Sequence, residues 1–411
     1  MNEREFDVVV WGATGFTGRL VAAHLLERYG VGRELSWALG GRSEARLVQV
    51  RTELGDGAVG LPLVMADADD QATLDVMAAR TRVVCSTVGP YALHGSKLVA
   101  ACVHHGTHYC DLTGEVQWMR RMIDAHHHRA RETGARIVHS CGFDSIPSDL
   151  GVLYVQQEMQ RRHGTAATGV KFRAREMRGG FSGGTVASML NMLDEADEDP
   201  LVREVIDDPY GLNPEGERRG LDAPERALPS YDEDFEAWVT PFVMATINTK
   251  VVRRSNALME FAYGRDFRYD EGMVMPFGPW GFPLAAGISA GSAAVGAAAS
   301  LPVLRRTLAP MLPKAGQGPS RQSREAGYWV VELLGRHPGD PGANVRVLMR
   351  GTGDPGYAST SRMLGEAAVC LARDKLVSHG GVLTPASALG DALLARLPLH
   401  AGVTLEVLEA V

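Results

Sequence analysis

Phe6-Asp-Val-Val-Val-Trp-Gly-Ala-Thr-Gly-Phe-Thr-Gly18 decides the fold. Phe6 to Trp11 is a short apolar run rich in β-branched residues, the pattern of a strand buried on both faces. Gly12, Gly15 and Gly18 follow at once, with Thr14, Phe16 and Thr17 between them. Leu20, Val21, Leu25 and Leu26 then recur at helical spacing, and Gly30 marks the helix end. Strand, glycine turn and helix in this order make a dinucleotide site. Glycine lets the backbone approach a pyrophosphate, and the helix N-terminus offers free N–H groups and partial positive charge. The spacing is G-x-x-G-x-x-G rather than G-x-G-x-x-G; its position between a strand and a helix is what gives it weight.

The strand-helix alternation continues from there. A second strand, Leu35 to Leu39, ends in Gly40-Gly41-Arg42-Ser43, with Arg46 nearby. An NAD site usually carries an acid here for the ribose 2′-OH. Arg42 and Ser43 instead suit the 2′-phosphate of NADP (NADPH), against the alternative that Arg42 is a solvated loop charge. A third strand, Leu61 to Met65, leads to Asp67, which either meets the adenine amino group or caps the next helix. A fourth, Arg82 to Val88, passes through Thr87 into Gly89-Pro90-Tyr91, where the cofactor crevice is expected. Further strands at 107–111 and 135–140 complete an α/β, Rossmann-type doubly wound parallel sheet over residues 1–150.

Composition sets the frame. The chain has 411 residues, 45% hydrophobic and 22% charged, with a net charge of −7. That is a soluble globular balance with no nucleic-acid partner. Five cysteines without a C-x-x-C pair predict free thiols in a reducing compartment. Acidic Glu3, Glu5 and Asp7 ahead of the first apolar run do not make a secretory flank, so the expected location is cytoplasmic.

Several motifs now stand in a recognisable order: Gly12 to Gly18, Val88-Gly-Pro-Tyr91, Tyr109-Cys-Asp-Leu-Thr-Gly-Glu115, Cys141-Gly-Phe-Asp-Ser-Ile-Pro-Ser-Asp149, Ser182-Gly-Gly-Thr185, Gly353-Asp-Pro-Gly-Tyr357 and Gly381 to Ser387. Together they resemble the saccharopine dehydrogenase-like oxidoreductases. Val252 to Leu258 and Pro313 to Ser320 are similar to the actinobacterial trans-acting enoyl reductase branch. The resemblance implies a second α/β domain, for substrate and subunit contacts, inserted before C-terminal helices that return to the first domain. With it come boundaries of 151–360 and 361–411, and a homodimer. It further implies an NADP-dependent reductase of a C=C bond in a lipid or carrier-bound acyl intermediate made by a polyketide synthase. It places Phe143 and Asp144 at the nicotinamide end. Two alternatives stay open: an amino-acid dehydrogenase acting on a C–N bond, and a non-catalytic NADP-binding scaffold.

The candidate catalytic groups lie at strand ends. Tyr91 either donates a proton to an enolate oxygen or stacks beside the ring, and Asp144 is the second candidate. Asp111 and Glu115 either bind an amine or cap a helix. Ser148 or Asp149 would cap a helix beginning near Leu150. Cys141 reads as buried and inert. His104, His105 and His126 to His128 lack ligand spacing and read as surface residues, so no metal is expected. Residues ~194 to 236 predict a helix and a long surface loop. Lys250-Val-Val-Arg253-Arg254 predicts a strand ending in two arginines, placed either to meet a substrate phosphate or on a solvated edge.

Gly272 to Leu304 holds no charged residue and is followed by Arg305 and Arg306. Three readings apply: a buried or dimer-interface helix, a peripheral contact with lipid or the inner face of the plasma membrane, and a membrane span. Its few large apolar residues, Leu284, Ile288, Val295 and Leu301 among Ala, Gly and Ser, weaken the span. Finally, Thr384 and Pro385 predict a helix start with Thr384 as cap.

Overall fold

A computed structural model describes residues 4–32, 34–179, 183–301, 303 and 318–409. Ser182, Arg305, Arg306 and the stretch 313–317 named above lie outside them. Two seven-stranded sheets organise the chain. The first holds β1 (Phe6–Trp11), β2 (Trp37–Gly41), β3 (Leu63–Met65), β4 (Thr81–Ser86), β5 (His108–Cys110), β6 (Arg136–Val138) and β13 (Gly381–Leu383). Their order is β13-β6-β5-β4-β1-β2-β3, and every pairing is parallel. All six residues of β1 are buried, which is why the run carries no alternation. Each large apolar side chain buried there contributes about 1.5–3 kcal/mol.

The second sheet is mixed. It runs β14 (Val403–Leu408), β12 (Val345–Thr352), β11 (Tyr328–Arg336), β7 (Gly169–Arg178), β10 (Arg268–Val274), β9 (Ala237–Thr240) and β8 (Ser230–Asp232). Only β7 and β10 pair in parallel; the other pairs are antiparallel. The helix Ile146–His163 links the two sheets and packs on β11 and β12. One continuous core joins them, from Val9 and Val84 through Leu150 and Val155 to Phe172 and Leu333. The C-terminal part does more than supply helices. Thr360–Arg373 packs on the helix Phe16–Tyr29, β13 extends the first sheet, and β14 crosses back to edge the second.

Several local expectations change. Lys250 to Arg254 lies inside a helix, Ala245–Leu258, rather than a strand. Its two arginines are buried: Arg253 pairs with Asp222 (2.6 Å) and Glu225 (3.2 Å), and Arg254 donates to the carbonyls of Leu212 and Val382. Neither is available to a substrate phosphate. Tertiary pairing has overridden the local β preference of two valines. The acidic stretch beyond residue 194 is likewise tied down, because Asp222 and Glu225 are the partners of Arg253, and the Pro200–Asp207 segment is helical.

The uncharged stretch divides. Its first residues finish β10, Gly278–Gly281 makes a single 3-10 turn, and Phe282–Ser300 forms a helix, while Leu304 lies outside the described residues. No helix among the described residues is long and apolar enough to cross a membrane. Among the described residues the helix is buried along one face only, at Ala285 and Ser289: Leu284 is 42% exposed, and a Cβ at Gly287 or Gly291 would meet nothing. Ahead of it, Phe277 (73%) and Trp280 (84%) project outward. Thr384 caps the helix Pro385–Arg396 in a capping box with Ser387, as its position predicts.

Candidate active site

The glycine turn has the cradle geometry its spacing predicts. Gly12 has φ +85°, where a side chain is strained, and a Cβ on it would lie 2.6 Å from Val88. A Cβ on Gly18 would lie 2.2 Å from the Gly12 carbonyl oxygen. Gly15 is the N-cap of Phe16–Tyr29 and no side chain caps that end, so the first N–H groups face outward for an anion. The Gly15 N–H donates to the Gly12 carbonyl, Arg19 Nε donates to the Thr14 carbonyl, and the Thr87 hydroxyl donates to the carbonyl of Trp11. These residues fit a dinucleotide diphosphate.

Arg42 is exposed directly after β2, and Ser43 is the N-cap of Glu44–Glu53 with no side-chain hydrogen bond of its own. Both lie at the C-terminal end of β2. Asp67 does not cap the next helix. Its carboxylate accepts the Asp69 N–H, and Asp70 caps Gln71–Arg80 by accepting from Ala72.

Beyond the ends of β1, β5 and β6 lies a cavity of about 440 Å³ between the two sheets. Thr17, Leu112, Phe143 and Asp144 line it from the first domain. Met177, Met244, Met273, Met275 and Phe242 line it from the second, and Leu284 and Ile288 of the exposed helix extend its wall. Pro355, Gly356 and Thr360 close it from the C-terminal part. A wall this rich in methionine accepts flexible apolar chains readily.

Asp144 is partly exposed on this wall. Burial among apolar neighbours pushes its carboxyl up to about 7, with the negative charge of nearby Asp111 adding to the effect. A Cβ on Gly142 would lie 2.7 Å from Asp144 Oδ2 and 2.9 Å from Thr360 Cγ2, so glycine keeps this loop closed. The Phe143 N–H donates to Thr360 Oγ1 (2.9 Å), and its ring packs edge-on against Trp329 at 5.1 Å. The Asp354 carboxylate accepts the N–H groups of Tyr357 and Ala358, holding the Gly353 to Tyr357 motif in shape. Phe16 meets Tyr357 edge-on at 4.7 Å, which ties the glycine turn to the same motif.

Tyr91 is placed differently from a proton donor. Its hydroxyl donates to the Ser86 carbonyl (3.2 Å) and accepts the Leu112 N–H (3.4 Å), and its ring stacks on Trp118. It is buried and is not among the residues lining the cavity. Burial pushes its phenol well up. Gly89 and Pro90 lead into the short helix Tyr91–His94, whose N-terminus is capped from a distance. Glu115 accepts the N–H groups of Tyr91 (2.7 Å) and Ala92 (2.9 Å).

Capping is thus the role of Glu115, on a helix other than its own. Ser148 and Asp149 are not caps: the helix starts at Ile146, with Ser145 at its N-cap. Asp149 instead accepts from Ser255 Oγ (2.5 Å) and the Ala386 N–H (2.7 Å), joining three helices. Cys141 is buried and its thiol is pushed well up, the inert state expected. Among the histidines, His128 is exposed, but His127 is half-buried and bonds the Val382 backbone of β13.

Sequence reading passed over His139, Thr360 and the methionine wall. His139 Nδ1 lies 2.8 Å from Asp111 Oδ2. Its position next to a predicted strand end, opposite Asp111, was the available signal.

Comparisons with known proteins agree with this geometry. The family described as saccharopine dehydrogenase NADP binding domain matches residues 8–138. A protein of Mycobacterium tuberculosis, provisionally named a trans-acting enoyl reductase, is 45% identical over 98% of this chain and 97% of its own. A trans-acting enoyl reductase of Mycobacterium bovis is 42% identical over 98% of both chains. Among solved structures, saccharopine dehydrogenase (L-Glu forming) of Saccharomyces cerevisiae superposes with a TM-score of 0.52. It is 11% identical, covers 98% of this chain and 99% of its own, and so speaks for the fold alone. The chain belongs to the saccharopine dehydrogenase-like NADP-dependent oxidoreductases, in the branch of the trans-acting enoyl reductases.

Proposed function

We propose that this protein reduces the C=C bond of an unsaturated acyl thioester with NADPH, and that Asp144 is the proton donor. The observation that carries the reading is Asp144, an acid held near neutrality on the wall of an apolar cavity that also contains Thr17 and Phe143. NADPH, when bound, supplies the hydride. The glycine turn and the N-terminus of Phe16–Tyr29 hold its diphosphate, and Arg42 with Ser43 takes the 2′-phosphate. Asp67 stands at the adenine end; Thr87, Gly89 and Pro90 flank the path to the nicotinamide. Phe143 packs beside that ring. The methionine wall takes the acyl chain and excludes water. Protonated Asp144 delivers the proton that the enolate carbon needs after hydride addition, so one hydride and one proton saturate the bond. Tyr91 shapes the loop below the ring rather than moving a proton.

The names of the relatives support the reaction class and action in trans on a partner's intermediate; in this reading the partner is a polyketide synthase that hands over the acyl chain in the cytoplasm, for lipid biosynthesis. Exposed Phe277, Trp280 and the helix after them suit contact with lipid, with the inner face of the plasma membrane or with a second copy in a homodimer. An amino-acid substrate has less support, because Arg175, the cation on the cavity wall, is already paired with Glu332 at 2.5 Å.

The test is NADPH oxidation with trans-2-dodecenoyl-CoA as probe, on the natural chain and on Asp144→Asn. Removing a general acid lowers kcat about 100- to 10,000-fold while NADPH affinity stays unchanged. The natural enzyme loses kcat as pH rises through about 7, because the donor must be protonated. An Asp144→Asn variant with undiminished kcat overturns the assignment.

A further inference from the structure

The loop that carries Phe143 and Asp144 leaves β6 through Ser140, whose φ of +61° lies in the left-handed region. Side-chain-bearing residues adopt that conformation rarely, so something must hold it. One carboxylate does. Asp111 is fully buried; its Oδ1 accepts the N–H groups of Ser140 (3.2 Å) and Thr113 (3.1 Å). Its Oδ2 lies 2.8 Å from His139 Nδ1. The backbone reinforces the staple: Cys141 N–H donates to the Asp111 carbonyl (2.7 Å), and the Ser140 hydroxyl donates to the Thr113 carbonyl (2.7 Å). Leu112, the next residue, lines the cavity with Phe143 and Asp144. The other nitrogen, His139 Nε2, is buried without a hydrogen-bond partner among the described residues.

We propose that Asp111 is a positioning residue of the reaction: it holds the left-handed turn at Ser140 that presents Phe143 and Asp144 to the cavity. The inference rests on the reading of Asp144 as proton donor. The titratable groups around Asp111 are Asp144, Glu115, Tyr91, Tyr109, His139 and Cys141; Arg175 and Glu176 share the cavity wall with Asp144. Burial pushes Tyr91, Tyr109 and Cys141 well up, and the charge of Asp111 adds to the desolvation that raises Asp144.

Geometry and charge separate by substitution. Asp111→Asn keeps an acceptor for the two N–H groups and deletes the charge. Its alkaline limb of kcat moves to lower pH, with NADPH affinity unchanged. Asp111→Ala deletes the acceptor as well and lowers kcat about 100-fold through a misplaced loop. Adding Ser140→Gly to Asp111→Ala restores about tenfold of that loss, because glycine takes the left-handed turn unaided. It does not restore the pH limb. The readout is the pH profile of NADPH oxidation with trans-2-dodecenoyl-CoA on the full chain, with NADPH titration alongside. A limb that coincides in Asp111→Asn and the natural chain overturns the electrostatic role. Failure of Ser140→Gly to recover activity overturns the geometric one. If Asp111→Ala does not fold, the limb of Asp111→Asn decides alone. A limb that survives Asp144→Asn sinks the reading of Asp144 itself; one lost in Asp144→Asn but unmoved in Asp111→Asn sinks only the role given to Asp111.

Discussion

The loop proposed to hold the diphosphate and the loop proposed to face the nicotinamide are built in opposite ways. The diphosphate turn, Gly12 to Gly18, is made mostly from backbone: three glycines, an uncapped helix end, and main-chain hydrogen bonds within the turn and to Gly40 of the neighbouring strand. The nicotinamide loop, Gly142 to Ser145, is made from distant side chains. Asp111 holds its approach, Thr360 takes its N–H, Trp329 packs its phenylalanine, and Asn248 accepts from Ser145 Oγ (3.0 Å). A diphosphate needs only N–H groups and room, which glycine supplies locally. A proton donor tuned near neutrality needs desolvation and a neighbouring charge, which only remote parts of the chain can bring.

The comparison breaks most visibly at Gly18. A Cβ there would press on the Gly12 carbonyl at 2.2 Å, so Gly18→Ala must spread the turn. NADPH affinity should fall about 100-fold, a loss of roughly 2.7 kcal/mol, measured by fluorescence titration. Undiminished binding would mean that the turn does not hold the diphosphate. Arg42→Glu acts on one phosphate only. NADPH binding should weaken about 10- to 100-fold while NADH binding is nearly unchanged; equal losses for both would remove the 2′-phosphate role.

The smallest effect belongs to the other loop. Thr360→Val keeps the shape but leaves the Phe143 N–H without its acceptor, at a cost of about 1–3 kcal/mol. Thermal denaturation should report a lower Tm, and kcat should drop a few-fold with NADPH affinity intact. A variant as stable as the natural chain would show that the loop does not depend on the C-terminal segment.

The legible part of the molecule follows the same division. β1, the glycine turn and its helix, the strand alternation to residue 138, and Thr384 at its cap were all readable, because periodicity, glycine and capping are short-range signals. Lys250 to Arg254 misled for the converse reason. Two valines favour a strand, and the helix exists because Asp222 and Glu225 arrive to neutralise Arg253 in a buried place. Tyr91 was legible as a phenol at the right strand end, but which way its hydroxyl turned was set by the Ser86 carbonyl and Trp118.

By itself, then, the sequence determined the alternation of strand and helix, the NADP cofactor and the glycine turn proposed for its diphosphate, since periodicity and glycine spacing are read over short stretches of chain. Tertiary structure alone decided the cavity, the acidity of Asp144 and the staple at Asp111. The methionine wall is assembled from β7, β10 and the segments beside them. Asp144 is an ordinary carboxyl until the fold removes its water and sets Asp111 beside it. Desolvation and charge proximity are properties of assembled neighbours, and no local pattern encodes them.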